Sequence, residues 1–326
     1  MHHSLGVHPF SVSVFAALLM LVAGCQSTHT QPVATSPQSA SPGAVHPGAQ
    51  TMWTTATSIP PHINRFADVF CMTASDCIAV GQTNDIRGII VRTQDGGNNW
   101  VEVARSERAI SVDEVVCTTA TVCAAVANPV VAGTGLLFLS VDGGATWTER
   151  DLPDGMDLRH LSCSDQSFCR AVGFTKGAPA VFSSSDLEHW AALTGPQPNV
   201  NSDGYADVAC LNDRRCLVVF GDDHGKGRVS LISEDGAVWT DRSPSPSLSP
   251  QVATIACTTD SGCVVGGVNL IDSTYDEGMH WTNKQAPSPE GVYLVTDVAC
   301  ASDSICVAAA ESALLRRDGI GGWTSR

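Results

Sequence analysis

Residues 71–100 read CMTASDCIAVGQTNDIRGIIVRTQDGGNNW, opening on a close cysteine pair, running through a small apolar stretch and closing on tryptophan. The same plan returns five more times. Cys-x5-Cys occurs at Cys71/Cys77, Cys117/Cys123, Cys163/Cys169, Cys210/Cys216, Cys257/Cys263 and Cys300/Cys306. Successive first cysteines stand 46, 46, 47, 47 and 43 residues apart. Trp100, Trp147, Trp190, Trp239, Trp281 and Trp323 close the six units, and Trp53 lies one period earlier. A fixed period of this length marks a repeat architecture before any single element is assigned.

Between the markers the pattern is that of strands. An apolar residue stands two places before each first cysteine: Val69, Val115, Leu161, Val208, Ile255 and Val298. A small apolar run follows each second cysteine, as in Ile78-Ala79-Val80-Gly81 and Val264-Val265-Gly266. Small side chains suit a sheet packed face to face between neighbours. A third strand leads to a turn, and the tryptophan segment makes a fourth. Four short antiparallel strands per period describe a propeller blade. The expectation is an all-β, six-bladed β-propeller of four-stranded antiparallel blades. A seventh blade would need a seventh cysteine pair, which the chain lacks.

The turn before each tryptophan carries a resemblance. Thr93-x-Asp95-x-Gly97-x-x-Trp100, Ser140-x-Asp142-x-Gly144-x-x-Trp147 and Thr274-x-Asp276-x-Gly278-x-x-Trp281 resemble the Asp-box, or bacterial neuraminidase repeat. The turns at Asp186 and Asp235 are one residue short, and that at Asp318 has Arg316 and Ile320 where Ser/Thr and Gly belong. In proteins with this repeat the hairpin lies at the outer edge of a blade, so the resemblance implies a structural role for Asp95, Asp142, Asp186, Asp235, Asp276 and Asp318. The turn chemistry agrees: an aspartate accepts N–H groups of its own turn, and glycine supplies a positive φ.

The cysteines of each pair flank the link between first and second strands. A five-residue hairpin brings two Cα atoms to the roughly 5.5 Å that a disulfide favours. Closing so short a loop contributes about 2 kcal/mol in the chain-entropy account. Zinc is the competing reading, but structural zinc knuckles are shorter, and His160, His189, His224 and His280 do not recur in register with the pairs. Ring closure has two readings. Either the segment around Trp53 pairs with the last blade, or Trp323 completes that blade and Trp53 pads the outside.

From Phe10 to Ala23 the chain is mostly apolar, the length of a signal-peptide core rather than of a membrane span. It ends Leu21-Val22-Ala23-Gly24-Cys25, which resembles the lipobox of bacterial lipoproteins. The resemblance implies that Cys25, the thirteenth cysteine, becomes an acylated N-terminus. His2, His3 and His8 stand where Lys or Arg is usual, and an ordinary cleaved signal with an incidental cysteine is the other reading. Residues 26–50 are Ser, Thr, Pro, Gln, Ala and Gly with Val and His, without a formal charge, and cannot build a core. Such a coil reaches roughly 25–30 Å. The expected organisation is therefore a signal peptide over 1–24, a tether over 25–50 and a propeller over 51–326. The chain is expected to be exported and anchored by lipid to a bacterial membrane or cell surface.

The formal net charge is −15, all of it after residue 64. An acidic surface argues against nucleic acid as partner, which needs a basic patch. No phosphate-cradling loop, Ser-His-Asp signature or metalloprotease motif appears, so no cofactor and no metal is expected. Sialidases carry an arginine triad and a Tyr–Glu pair. Here the tyrosines are Tyr205, Tyr275 and Tyr293, and Ser58-Ile59-Pro60-Pro61 lacks the arginine of the sialidase Arg-Ile-Pro motif. One constellation recurs: three residues before each first cysteine stand Asp68, Glu114, His160, Asp207, Thr254 and Asp297. On a channel-lining strand they read as a site for a cation or a basic partner, or as solvated polar residues at strand entry. The repeat is also similar to the photosystem II stability and assembly factors, propellers that bind partner proteins without catalysis. That resemblance implies a tethered, non-catalytic binding protein or scaffold with a protein or glycan ligand; the alternative is a sialidase-like glycoside hydrolase.

Overall fold

In a computed structural model the described residues are 56–326, without 166, 195–196, 201–204, 212–213, 223, 225, 245–251, 259–260, 283–293, 303–304, 311–312, 319–322 and 326. The chain is a six-bladed β-propeller whose described strands form six antiparallel sheets. Blade one holds β1 (Ile63–Cys71), β2 (Cys77–Thr83), β3 (Gly88–Thr93) and β4 (Val101–Ser106). Blade two holds β5 (Ala109–Cys117), β6 (Cys123–Pro129), β7 (Leu136–Ser140) and β8 (Thr148–Asp151). Blade three holds β9 (Met156–Asp165), β10 (Phe168–Thr175), β11 (Ala178–Ser184) and β12 (Ala191–Ala192). Blade four holds β13 (Tyr205–Cys210), β14 (Cys216–Gly221), β15 (Gly227–Ile232) and β16 (Trp239–Asp241). Blade five holds β17 (Val252–Cys257), β18 (Cys263–Gly267) and β19 (Leu270–Thr274), and blade six β20 (Val295–Ser302), β21 (Ile305–Ala310), β22 (Ala313–Asp318) and β23 (Thr324–Ser325).

The strands of each sheet pair in chain order. Blade five departs from the expected four strands: among the described residues Trp281 and Thr282 form no strand, and Thr282 is tied to β19 by its N–H to Ser273 O and its hydroxyl to Asp272 Oδ1. Its tryptophan is drawn to the neighbouring blade, the indole Nε1 donating to Arg242 O at 2.6 Å. The chain divides into two compact units that part between Ala192 and Leu193, one with blades one to three and the other with blades four to six.

The second strands show why the apolar runs are continuous rather than alternating. β2, β6, β14 and β18 are buried along nearly their whole length, because both faces are covered. In the first unit, Ile78, Val80 and Ile90 of blade one pack with Val112, Ala125 and Phe138 of blade two. Blade two in turn presents Ala124 and Leu137 to Leu158, Leu161 and Phe182 of blade three. In the second unit, Leu217, Val219 and Leu231 meet Val252, Ile255 and Val265, and Val264 and Ile271 meet Val298, Ala308 and Leu315. Blades two and five are thus each half of two cores, one shared with the blade before and one with the blade after.

Every first strand carries a β-bulge at one position. The register slips between Phe66 and Asp68, Val112 and Glu114, Leu158 and His160, Tyr205 and Asp207, Val252 and Thr254, and Val295 and Asp297. The skipped residues are Ala67, Asp113, Arg159, Ala206, Ala253 and Thr296, each four before its first cysteine. A bulge bends and twists its strand and re-aims the side chains beside it. It also crowds the second strand. A Cβ at Gly81 would lie 2.1 Å from Arg65 O, and one at Gly173 would lie 2.0 Å from Asp157 O, so blades one and three need glycine there.

Ring closure follows the second of the two readings as far as the last blade is concerned. β23 pairs with β22, so blade six takes its fourth strand from its own C-terminal segment. Trp53 lies outside the described residues, as do Cys25, the signal segment 1–24 and the tether 25–50. The next residues, Thr57 and Ser58, donate their N–H groups to Asn98 O of blade one, at 2.7 and 3.0 Å.

Candidate functional site

The cysteines of each unit sit directly opposite in the ladder between first and second strands: Cys71 against Cys77, Cys117 against Cys123, Cys163 against Cys169, Cys210 against Cys216, Cys257 against Cys263 and Cys300 against Cys306. All six pairs are disulfides, with Cα–Cα distances of 3.9–4.1 Å. That is closer than the hairpin estimate, because direct cross-strand neighbours approach more nearly than residues flanking an open loop. The sulfurs are spent on one another, which removes the zinc reading.

In blades one, two, four and five the cysteines end the first strand and open the second, flanking the link as expected. The second cysteine of each pair is also buried: Cys77, Cys123, Cys169, Cys216, Cys263 and Cys306 are 0–2% exposed. Each lies on the second strand, and Cys123, Cys169, Cys263 and Cys306 sit in cores shared with the preceding blade. In blade three the ladder also runs on past the disulfide. Asp165 pairs with Phe168, the register slips between Phe168 and Cys169, and Cys169 is therefore the second residue of β10 and not the first. Blade six does the same with Ser302 and Ile305 ahead of Cys306. These pairs staple strands inside the sheet, with the second cysteine of each buried.

The turns before the tryptophans close on their hydroxyl and carboxylate residues. Thr93 Oγ1 donates to Asp95 Oδ1 at 2.8 Å and accepts the Gly97 N–H at 3.0 Å. Asp95 accepts the Asn99 N–H at 2.9 Å and its side-chain Nδ2 at 2.7 Å, and Trp100 Nε1 donates to Gly97 O. The Ser140–Asp142 and Thr274–Asp276 turns repeat the hydroxyl and carboxylate bonds, with Thr146 and His280 in the place of Asn99, and Trp147 Nε1 donates to Gly144 O while Trp281 Nε1 goes to Arg242 O. In the shortened turn at Asp186, Leu187 takes the positive φ, 65°, that glycine supplies elsewhere, and Ser184 Oγ accepts its N–H. Asp235 accepts the Ser233 hydroxyl and the Ala237 N–H. In blade six Arg317 stands against the second cysteine, where blades one, two, three and five have Thr or Ser and blade four has Ile232. Its buried guanidinium donates to Ser273 Oγ and lies 5.4 Å from the Trp323 ring centre. The side chain of Asp318 lies outside the described ones.

These contacts hold the turn carboxylates ionised. The Thr146 hydroxyl and N–H bring Asp142 down to about 2. Burial raises Asp186, but the N–H and ring of His189 outweigh it and also leave it at about 2. Asp95 and Asp276 are lowered by the same kind of bonds.

The residues three before each first cysteine do something the sequence reading did not consider. Asp68 Oδ1 accepts the Val69 N–H at 2.7 Å, while Oδ2 reaches the next blade and accepts the Val115 N–H at 2.9 Å. Glu114 Oε2 accepts the Leu161 N–H of blade three at 3.0 Å, and His160 Nδ1 stands 3.0 Å from it. In the other unit Asp207 accepts the Val208 N–H at 2.7 Å, the Ile255 N–H at 2.9 Å and the Thr254 hydroxyl at 3.1 Å. Asp297 accepts the Val298 N–H at 2.7 Å. Asp68, Glu114 and Asp207 thus bridge adjoining first strands within each unit, which are therefore the innermost.

The bulges bring forward a group that sequence reading missed. In the first unit, the skipped residues of blades two and three are Asp113 and Arg159, beside Glu114 and His160. Ser111, fully buried, donates its hydroxyl to Asp113 Oδ1 at 2.5 Å. Arg159 NH2 donates to Asp157 Oδ2 at 2.7 Å. Asp157 is 8% exposed, and its Oδ1 has no hydrogen-bond partner among the described residues; neither has Arg159 Nε. Burial pushes Asp157 up, Arg159 opposes this, and the charge of Asp113 adds to it. The only signal in the sequence was that Asp113 and Arg159 occupy the same place in consecutive repeats. The loop at Asp222, by contrast, is closed on itself: its carboxylate accepts the His224 and Lys226 N–H groups and the Arg228 Nε–H.

No family model and no curated protein matches the sequence. Solved structures do. YCF48 bound to a D1 peptide superposes with a TM-score of 0.60 at 16% identity, over 81% of this chain and 82% of that one. YCF48 from Cyanidioschyzon merolae gives 0.59 at 16% identity, over 82% and 87%. The GH74 enzyme of Niastella koreensis gives 0.62 at 13% identity over 81% of this chain, which spans 46% of the enzyme's length. At these identities the likeness is one of fold, and it joins the chain to β-propellers that include both a peptide-binding protein and a glycoside hydrolase.

Proposed function

We propose that this chain is an exported, lipid-anchored propeller that binds a protein partner and carries out no catalysis. One observation carries the reading: the acids at the recurring inner-strand position are engaged by backbone N–H groups of neighbouring residues, and a carboxylate held in that way stabilises the fold rather than turning over a substrate. Six disulfides belong to an oxidising compartment. The signal segment and Cys25 supply the route to that compartment and the anchor, and the uncharged tether holds the propeller off the membrane. The peptide-bound structure among the similar folds supports a protein ligand over a glycan.

The test is crosslinking of the full chain in cells, followed by mass spectrometry of what is captured. One dominant protein partner supports the reading; recovery of cell-wall or host glycan without a protein overturns it. Globomycin-sensitive processing, lost in Cys25→Ser, tests the anchor separately.

The hydrolase reading keeps one specific support, the neighbouring carboxyls of Asp113 and Asp157, whose environments differ. Release of reducing sugar from β-glucans or sialosides by the mature protein, abolished in both Asp113→Asn and Asp157→Asn, would establish it.

A further inference from the structure

We propose that the inner-strand mouth of blades two and three, built from Ser111, Asp113, Asp157 and Arg159, is a site for a basic side chain, a guanidinium or an ammonium, presented by a peptide. The inference rests on the protein-partner reading and names the chemistry by which the partner is held.

The site is a product of the two bulges. Asp113 and Arg159 are the skipped residues of β5 and β9, so their side chains leave the regular alternation of the ladder and stand half-buried beside the bridging pair Glu114 and His160. Acceptor capacity exceeds what the protein uses. Asp113 takes the Ser111 hydroxyl on one oxygen. Asp157 takes one Arg159 N–H on Oδ2, and Oδ1 takes nothing among the described residues. A buried carboxylate oxygen without a donor is costly, so the arrangement favours a ligand that brings donors. Two carboxylates against one guanidinium leave the group net negative, which selects a cation.

A guanidinium fits this better than a metal ion. Its several N–H donors can be divided between Asp113 and Asp157, whereas a metal ion would meet the Arg159 charge with no hydrogen bond to offset it.

The probe is N-acetylarginine amide, titrated into the mature protein while the side-chain carboxyl ¹³C resonances of Asp113 and Asp157 are followed. Saturable shifts of both, at least tenfold weaker in Asp113→Asn and reduced by added salt, are expected. No shift, or equal shifts with N-acetylglutamine amide, overturns the site. Should Asp157→Asn fail to fold, Asp113→Asn decides alone, since that side chain is half-exposed.

Selection from a random nonapeptide library separates this inference from the reading beneath it. Peptides enriched in Arg or Lys whose binding falls tenfold in Asp113→Asn support both. Peptides selected without basic residues sink the inference and leave the protein-partner reading standing. Arginine-amide binding with no peptide selected does the reverse.

Discussion

The carboxylate of Asp68 accepts the backbone N–H of Val115, a residue 47 positions later on the next blade, at 2.9 Å. Glu114 and Leu161 repeat the contact one blade on, and Asp207 and Ile255 repeat it in the second unit. A propeller blade holds its neighbour mainly through apolar faces, which slide easily; a directional bond at the innermost strand fixes the register between them.

Asp68→Ala leaves the Val115 N–H, on a residue 3% exposed, without its acceptor. The expected cost is about 1–3 kcal/mol, the penalty for an unsatisfied buried donor. Urea unfolding of wild type and variant measures it. An unchanged midpoint would mean that the bond contributes nothing and that the apolar faces alone set the register.

Gly173→Ala places a methyl group 2.0 Å from Asp157 O, a backbone atom that cannot step aside. The expected loss is about 3 kcal/mol or more, in the range reserved for a clash in a packed element. Gly177→Ala is the control. Gly177 has φ 79° and open space around it, so only the left-handed backbone is penalised, by about 1 kcal/mol. Equal losses in a thermal melt would contradict the steric account of the bulge.

How far was this legible in the residues? The cysteine and tryptophan periods announced six blades because each marker is a rare residue at a fixed place. The bulges were not legible, since the skipped positions hold Ala67, Asp113, Arg159, Ala206, Ala253 and Thr296, and no residue type is common to them. The bridging acids were visible as a column but not as bridges, because the N–H donor of each bond lies a whole repeat away. Asp113 and Arg159 were lost for both reasons at once. The pairing of Cys163 with Cys169 was legible from spacing, but the burial of Cys169 was not, because the blade that covers it is again a repeat away. The closing of blade six was open because Trp53 and Trp323 both sat at a fourth-strand position, and pairing, not composition, decides between them.

The turn carboxylates predict a pH dependence with a definite sign. Asp142 falls from 3.8 in an unfolded chain to about 2. Its contribution is complete above 3.8 and is lost as pH falls through about 2. His189 moves the other way, raised from 6.5 by its bond to Asp186 and by that carboxylate's charge. Its contribution is complete below 6.5 and fades as pH rises through the raised value. NMR titration of the ring should find His189 above 6.5 in wild type and back at its ordinary value in Asp186→Asn. No difference between the two would show that the bond does not form in solution.

The disulfides predict a thiol count. Ellman titration of the denatured, unreduced propeller should find almost no free thiol, and prior reduction should free twelve. Reduction should also lower stability by about 2 kcal/mol per loop in the chain-entropy account. Twelve free thiols without reduction would contradict the pairing.

The most direct test of the central claim is site-specific photocrosslinking in cells. A photoreactive phenylalanine analogue at residue 154, in the link that leads into β9 and its bulge, should capture one protein partner, and the yield should fall in Asp113→Asn. The same group at residue 185, on the turn before Trp190, should capture far less. Capture only at residue 185, or of no protein at either position, would contradict a protein partner held at the inner strands of blades two and three.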